Sequence, residues 1–140
     1  MSFDAFSDVN YLAVLVAAVA YFALGALWYI PPVMGRTWQK AGGIDVPEGQ
    51  TPEPIFFVGT YIAYAVAGLA TALLAVGTGT DSAAEGAVLG LIVGVGYAFT
   101  AAGVSALYDR KPQPMVWWLV NGIFNVIGLV AVAVIVGVWR

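Results

Sequence analysis

Four long apolar stretches dominate the chain, separated by short polar breaks. They run near Asn10–Ile30, Ile55–Val76, Ala84–Leu107 and Met115–Trp139, and each is long enough for a membrane core that needs about 20 helical residues. Apolar residues fill these stretches without the in-out alternation of a barrel strand. In hydrocarbon a backbone must satisfy its own polar groups, so helices are the reading. The breaks agree with it. Pro31 and Pro32 stop the first stretch, and the loop after them carries Gly42, Gly43, Pro47, Gly49, Pro52 and Pro54. Gly77–Asp81 makes one short turn and Asp109–Pro114 another. The pattern predicts an all-α polytopic membrane protein: four transmembrane helices in an antiparallel bundle, forming one domain over residues 1–140.

Composition narrows the chemistry. The chain is 61% hydrophobic and 9% charged, against about 25% charged in an ordinary soluble domain. With too few polar residues for a water-facing shell, lipid must solvate much of the surface. Cysteine and histidine are both absent. Disulfides, thiolate chemistry, the commonest general base and the commonest metal ligand go with them. A net charge of −3 gives no basic face for nucleic acid. Asp4 and Asp8 precede the first apolar run, where a cleavable signal would carry positive charge, so that run is expected to stay in the mature chain.

Loop charge sets the expected orientation. Arg36 and Lys40 lie in the first loop, Arg110 and Lys111 in the third, and the second has no basic residue. Basic loops stay on the cytoplasmic side, which puts both termini on the non-cytoplasmic side. Aromatic residues fall where an interface belt would put them: Trp28, Tyr29, Trp117 and Trp118 at the cytoplasmic ends, Trp139 with Arg140 at the other. Trp38, between Arg36 and Lys40, marks either a short helix on the membrane surface or a loop with one buried tryptophan.

The stretch Gly25-Ala26-Leu27-Trp28-Tyr29-Ile30-Pro31-Pro32-Val33-Met34-Gly35-Arg36-Thr37-Trp38 resembles a family of small bacterial and archaeal membrane proteins, domain of unknown function 1761. The resemblance extends over the chain: Asn10 ahead of an Ala/Val-rich first helix, a Gly-Ala-Leu-Trp-Tyr-x-Pro run, a Gly-basic-x-Trp step and three more helices. Pro32 and Met34 depart from the bulky apolar and Phe residues expected there. The resemblance implies a four-helix membrane protein, and it carries over no catalytic or ligand-binding residues.

Two patterns nominate sites. Small residues recur every fourth position at Gly86, Gly90, Gly94, Ala98, Ala102 and Ala106, and again at Gly59, Ala63, Ala67, Thr71 and Ala75. Such stripes let helix backbones approach closely. Tyr21, Tyr64, Tyr97 and Asn125 each lie about ten residues, or roughly 15 Å, from their helix ends, with Asn121 one turn before Asn125. A buried hydroxyl or amide without a partner costs about 2–7 kcal/mol in hydrocarbon. These five groups are therefore expected to face inward, either as a structural hydrogen-bond cluster or as a small ligand site. Asp81 and Glu85 suit a helix N-terminus. No catalytic residue, metal site or cofactor is nominated.

Three function classes stay open. A non-catalytic membrane component, an accessory or self-associating subunit, needs only packing faces and anchors. A small transporter or channel would have to pass a neutral solute, because no ionisable residue lies deep in a span. An interfacial enzyme would depend on Asp81, Glu85 or Asp109 and is not expected. The partners implied are membrane lipids, a second copy or a partner membrane subunit. Reporter fusions test the orientation: a periplasm-active enzyme fused after residue 140 should work and a cytoplasm-dependent one should not. The reverse result would invert the topology.

Overall fold

A computed structural model describes residues 3–47 and 49–139. A short 3-10 helix at Phe3–Asp8 leads to α1 (Tyr11–Trp28). Asn10 caps α1, its Oδ1 accepting from the amides of Leu12 at 3.1 Å and Ala13 at 3.2 Å. After α1 the prolines start a π-helical turn, Pro31–Gly35, which runs into α2 (Arg36–Gly42). Then come α3 (Pro54–Thr78), α4 (Ala83–Val93), a second π-helical turn at Gly94–Phe99, α5 (Thr100–Tyr108) and α6 (Pro114–Val138). No strand occurs among the described residues. Arg140 lies outside them.

Helix ends carry the expected local chemistry. Pro54 and Pro114 open α3 and α6, where a missing N–H leaves no bond unmade. Gly79, at φ 73°, takes the left-handed conformation that ends α3. Ser82 caps α4 by accepting from the Glu85 amide at 3.3 Å, while the Glu85 carboxylate accepts from the Asp81 amide at 3.0 Å. The Glu85 carboxylate therefore serves the helix start, and Asp81 takes part through its main-chain amide.

Four helices are long and apolar enough to cross a membrane: Tyr11–Trp28, Pro54–Thr78, the continuous Ala83–Tyr108 and Pro114–Val138. Each end falls within two residues of the sequence expectation. Leu27, Phe56 and Ile92 are more than 60% exposed on them, as expected for side chains solvated by lipid. The chain is a membrane protein.

The last helix is the hub. Buried residues make up 44% of its apolar stretch, against 17–28% in the others. Both α1 and α3 pack against it and against each other, α4 and α5 lie along its opposite flank, and α2 covers its first turns. Along the α4–α6 seam the backbones nearly touch. A Cβ added at Gly86 would sit 2.7 Å from the Ala133 carbonyl oxygen, and one at Gly94 would sit 2.9 Å from the Val126 Cα. At Gly90 a Cβ would collide with the Val130 Cα. This part of the small-residue stripe packs as the spacing predicts.

Past Gly94 the seam departs from that spacing. The contacts pass to Phe99 over Gly122 and Gly103 under Trp118, so the partners on α6 step by four while this helix steps by five once. The π-helical turn Gly94–Phe99 supplies the extra residue. Ala98 and Ala102, placed in the stripe by strict four-residue spacing, are consequently offset by one position, and both are only half-buried.

Gly59 and Ala63 also depart from expectation. Both are exposed, and a Cβ at Gly59 would meet nothing within 4 Å. Nearer its C-terminal end α3 packs through Gly68, Thr71, Ala72 and Ala75. Its N-terminal half instead turns Thr60 and Tyr64 toward a cleft, which rotates Gly59 and Ala63 to the outside. Nor do α3 and α4 lie tightly side by side, although a short turn joins them: they touch little and leave a groove between them.

The seam predicts an asymmetric response to one methyl group. Gly90→Ala should lower stability by about 1–3 kcal/mol, the usual range for overpacking. Gly96→Ala, in open space, should leave it unchanged. Thermal unfolding of both variants in one detergent checks this, and equal melting points would refute the seam.

Candidate functional site

On its inward face α6 presents Trp117, Asn121, Phe124 and Asn125 over about two turns. Asn125 Nδ2 donates to the Asn121 carbonyl at 2.8 Å, and Asn121 Nδ2 donates to the Trp117 carbonyl at 2.8 Å. These bonds back to the preceding turn fix both amides and leave their Oδ1 atoms facing α1. There the Tyr21 hydroxyl donates to Asn125 Oδ1 at 2.6 Å, and the Tyr29 hydroxyl donates to Asn121 Oδ1 at 2.8 Å. Trp28 Nε1 adds a bond to the Val120 carbonyl at 3.2 Å. The result is a hydrogen-bonded ladder between two antiparallel helices.

Aromatic rings close around it. Tyr64 stacks on Tyr21 with centroids 3.9 Å apart and planes 13° from parallel. Phe124 lies among Tyr21, Tyr29, Trp28 and Tyr64, at 5.1–6.4 Å. Tyr21 occupies the space left by Gly128, where a Cβ would overlap its ring. Toward the α2 end Trp38 stacks on Trp117 at 5.4 Å and meets Tyr29 edge-on at 5.5 Å. Lys111 Nζ sits 4.6 Å from the centre of the Trp117 ring. The Gln113 amide donates to the Ala41 carbonyl at 3.1 Å, tying α2 to the start of α6.

Beside the ladder, α1, α2 and α3 enclose a cleft of about 550 Å³. Phe22, Gly25, Trp38, Phe57 and Tyr64 contribute to its walls, and Asn121 and Tyr29 bring it to the ladder. The Tyr64 hydroxyl comes within 3.6 Å of where a Gly25 Cβ would lie, and it makes no hydrogen bond to any described residue. Phenols, an amide, an indole and the Thr60 hydroxyl, which donates to the Phe56 carbonyl at 2.6 Å, are the polar groups here, and among the described residues no charged one lines the cleft.

The five residues nominated from the sequence divide. Tyr21, Asn121 and Asn125 meet through hydrogen bonds, and Tyr64 joins by stacking alone. Tyr97 does not join them. It is 73% exposed, because the π-helical turn widens the helix there and rotates residue 97 off the flank facing α6.

The expected belt also resolves differently. Trp28, Trp117 and Trp118 are half-buried, and the indoles of Trp28 and Trp118 donate to main-chain carbonyls inside the bundle, Trp118 to Phe99 at 2.7 Å. Tyr29, read as an anchor, is a rung of the ladder. Its signal was available: Tyr29 lies two turns beyond Tyr21 on one face of α1, matching the one-face pair Asn121 and Asn125. Trp139 is 41% exposed. Trp38 combines the two alternatives, standing on a short helix and half-buried against Trp117.

Residues 12–137 match the family described as protein of unknown function (DUF1761). The match takes in all four spans and every residue of the ladder and cleft. The chain belongs to this family. No curated protein and no solved structure matches it. Membership brings no activity with it, so the function of this DUF1761 chain has to be argued from its own geometry.

The ladder's contribution is measurable. Tyr21→Phe keeps the ring and removes one hydrogen bond, and should lower stability by about 0.5–1.5 kcal/mol. Asn125→Leu also strands the Tyr21 hydroxyl and should cost roughly 1–3 kcal/mol. Unfolding in detergent checks both, and unchanged stability in the two variants would remove the ladder's structural role.

Proposed function

We propose that this DUF1761 protein is a non-catalytic membrane component that works by association, as a self-associating or accessory subunit in the plasma (inner) membrane of a prokaryote. The observation that carries this reading is the groove between α3 and the α4–α5 span. It measures about 310 Å³ and is lined by Ala67, Ala70, Val93, Tyr97, Ala98 and Ala101. Its four alanines let an incoming helix approach closely. Tyr97 stands at its edge, about eleven residues or roughly 16 Å from the nearer end of its span. Its hydroxyl has no partner among the described residues, and such a group facing hydrocarbon at this depth is costly. A helix from a second subunit lying in the groove would supply both the missing packing and an acceptor.

Transport of a neutral solute is the alternative, and the cleft beside α1 gives it a starting point. Its inner wall favours holding over conduction. Tyr64 is stacked on Tyr21, and Tyr21 is bonded to Asn125 and seated on Gly128.

Light scattering of the full chain in detergent and in nanodiscs tests association. The expected result is a complex larger than one chain that Ala101→Trp, filling the groove, reduces to monomer. Tyr97→Phe should weaken it by roughly three- to tenfold in dissociation constant, the range of one hydrogen bond. A wild-type monomer at all concentrations, with no co-purifying membrane partner, would overturn the proposal.

A further inference from the structure

The cleft walled by α1, α2 and α3 raises a separate question, because the ladder beside it leaves hydrogen-bond donors unused. Tyr21 and Tyr29 donate to Asn125 and Asn121, and Asn125 gives one amide hydrogen to the Asn121 carbonyl. Asn121 uses one amide hydrogen on the Trp117 carbonyl and its oxygen on Tyr29. Its second amide hydrogen and the Tyr64 hydroxyl are left as donors, and both residues line the cleft. A site with spare donors beside aromatic and aliphatic walls selects an uncharged acceptor oxygen attached to an apolar body.

Depth says where such a molecule comes from. The cleft lies at the end of the bundle that holds the last turn of α1, the first turns of α3 and the surface helix α2. Tyr64 lies about ten residues into α3, and helix side chains lean toward the N-terminus, so its hydroxyl returns to the level of Gly25, one turn from the end of α1. One helical turn, about 5 Å, separates that level from the end of the span, so it lies among the acyl chains just below the glycerol esters of the headgroup boundary. The wall is continuous with the lipid-facing surface: Phe56 is 64% exposed and Phe57 46%. At about 550 Å³ the space falls within the usual 300–1,000 Å³ of a small-molecule site.

We infer that the cleft binds one glycerophospholipid, its ester carbonyl accepting from the Tyr64 hydroxyl and its acyl chain lying against Phe22, Phe56 and Phe57. Arg36 and Lys40 are exposed on α2, on the side away from the half-buried Trp38, and put cations in the headgroup layer where the phosphate lies. Glu53 follows the cleft residue Pro52, so the mouth carries both signs of charge and selects weakly among headgroups. Selection rests on the ester. The site is independent of the α3/α4–α5 groove, and neither proposal needs the other.

Native mass spectrometry of the full chain, released from detergent and titrated with a diacyl phosphatidylglycerol, tests this. A diether analogue, which has the same headgroup and chains but no carbonyl, is the paired probe. The wild type should hold one diacyl lipid per chain and bind the diether roughly three- to tenfold more weakly, as the loss of one hydrogen bond implies. Tyr64→Phe keeps the ring that stacks on Tyr21, so it should melt close to wild type, yet it should bind the two lipids equally. Ala26→Trp, which fills the cleft, should abolish the one-to-one complex. Equal binding of ester and ether lipids by the wild type would overturn the assignment. So would ester preference surviving in Tyr64→Phe, or no lipid held at one per chain.

Discussion

In hydrocarbon a leucine gains nothing by leaving lipid for a neighbouring leucine, so helices associate where their backbones come close and where polar groups find partners. The seam of α4 and α6 meets the first requirement. Gly86, Gly90 and Gly94 remove the side chains that would hold the two helices apart, and the α6 main chain fills the space. Everything else is referred to α6, because α1, α3, α5 and the surface helix α2 all rest on it.

The π-helical turn Gly94–Phe99 shows how strictly the seam is kept. Straight α-helical spacing would have brought Ala98 and then Ala102 against α6. One additional residue brings Phe99 onto Gly122 and Gly103 beneath Trp118 instead. The aromatic residues gain glycine surfaces to pack on, and the Trp118 indole reaches the Phe99 carbonyl. The same turn rotates Tyr97 outward, where its hydroxyl has no partner among the described residues. A packing adjustment on one face of the helix thus creates a feature on the other.

Function, as proposed for this DUF1761 chain, follows the division between satisfied and unsatisfied polar groups. The ladder of Tyr21, Tyr29, Asn121 and Asn125 is closed on itself and holds α1 to α6. Tyr64 and Tyr97 are phenols inside the spans whose hydroxyls have no partner among the described residues, one facing a cleft just below the headgroup layer and the other a groove at mid-span. Their depths suit different occupants, because an ester carbonyl is found next to the first and only another protein can bring an acceptor to the second.

Fold class and the four spans were legible in the residue pattern, because twenty uncharged residues in a row admit few structures once water and charge are excluded. Asn10, Ser82, Gly79 and the prolines marked the helix ends by local chemistry that needs no tertiary partner. Which face of each helix turned inward was legible only in part, at Gly86, Gly90, Gly94, Tyr21, Asn121 and Asn125. Apolarity is uniform around a lipid-solvated helix, so it carries no stripe to point at the core. Facing was decided by close approach: a single π-helical residue turned Tyr97 out, a cleft displaced Gly59 and Ala63, and the tertiary pairing of α1 with α6 made Tyr29 a rung rather than an anchor.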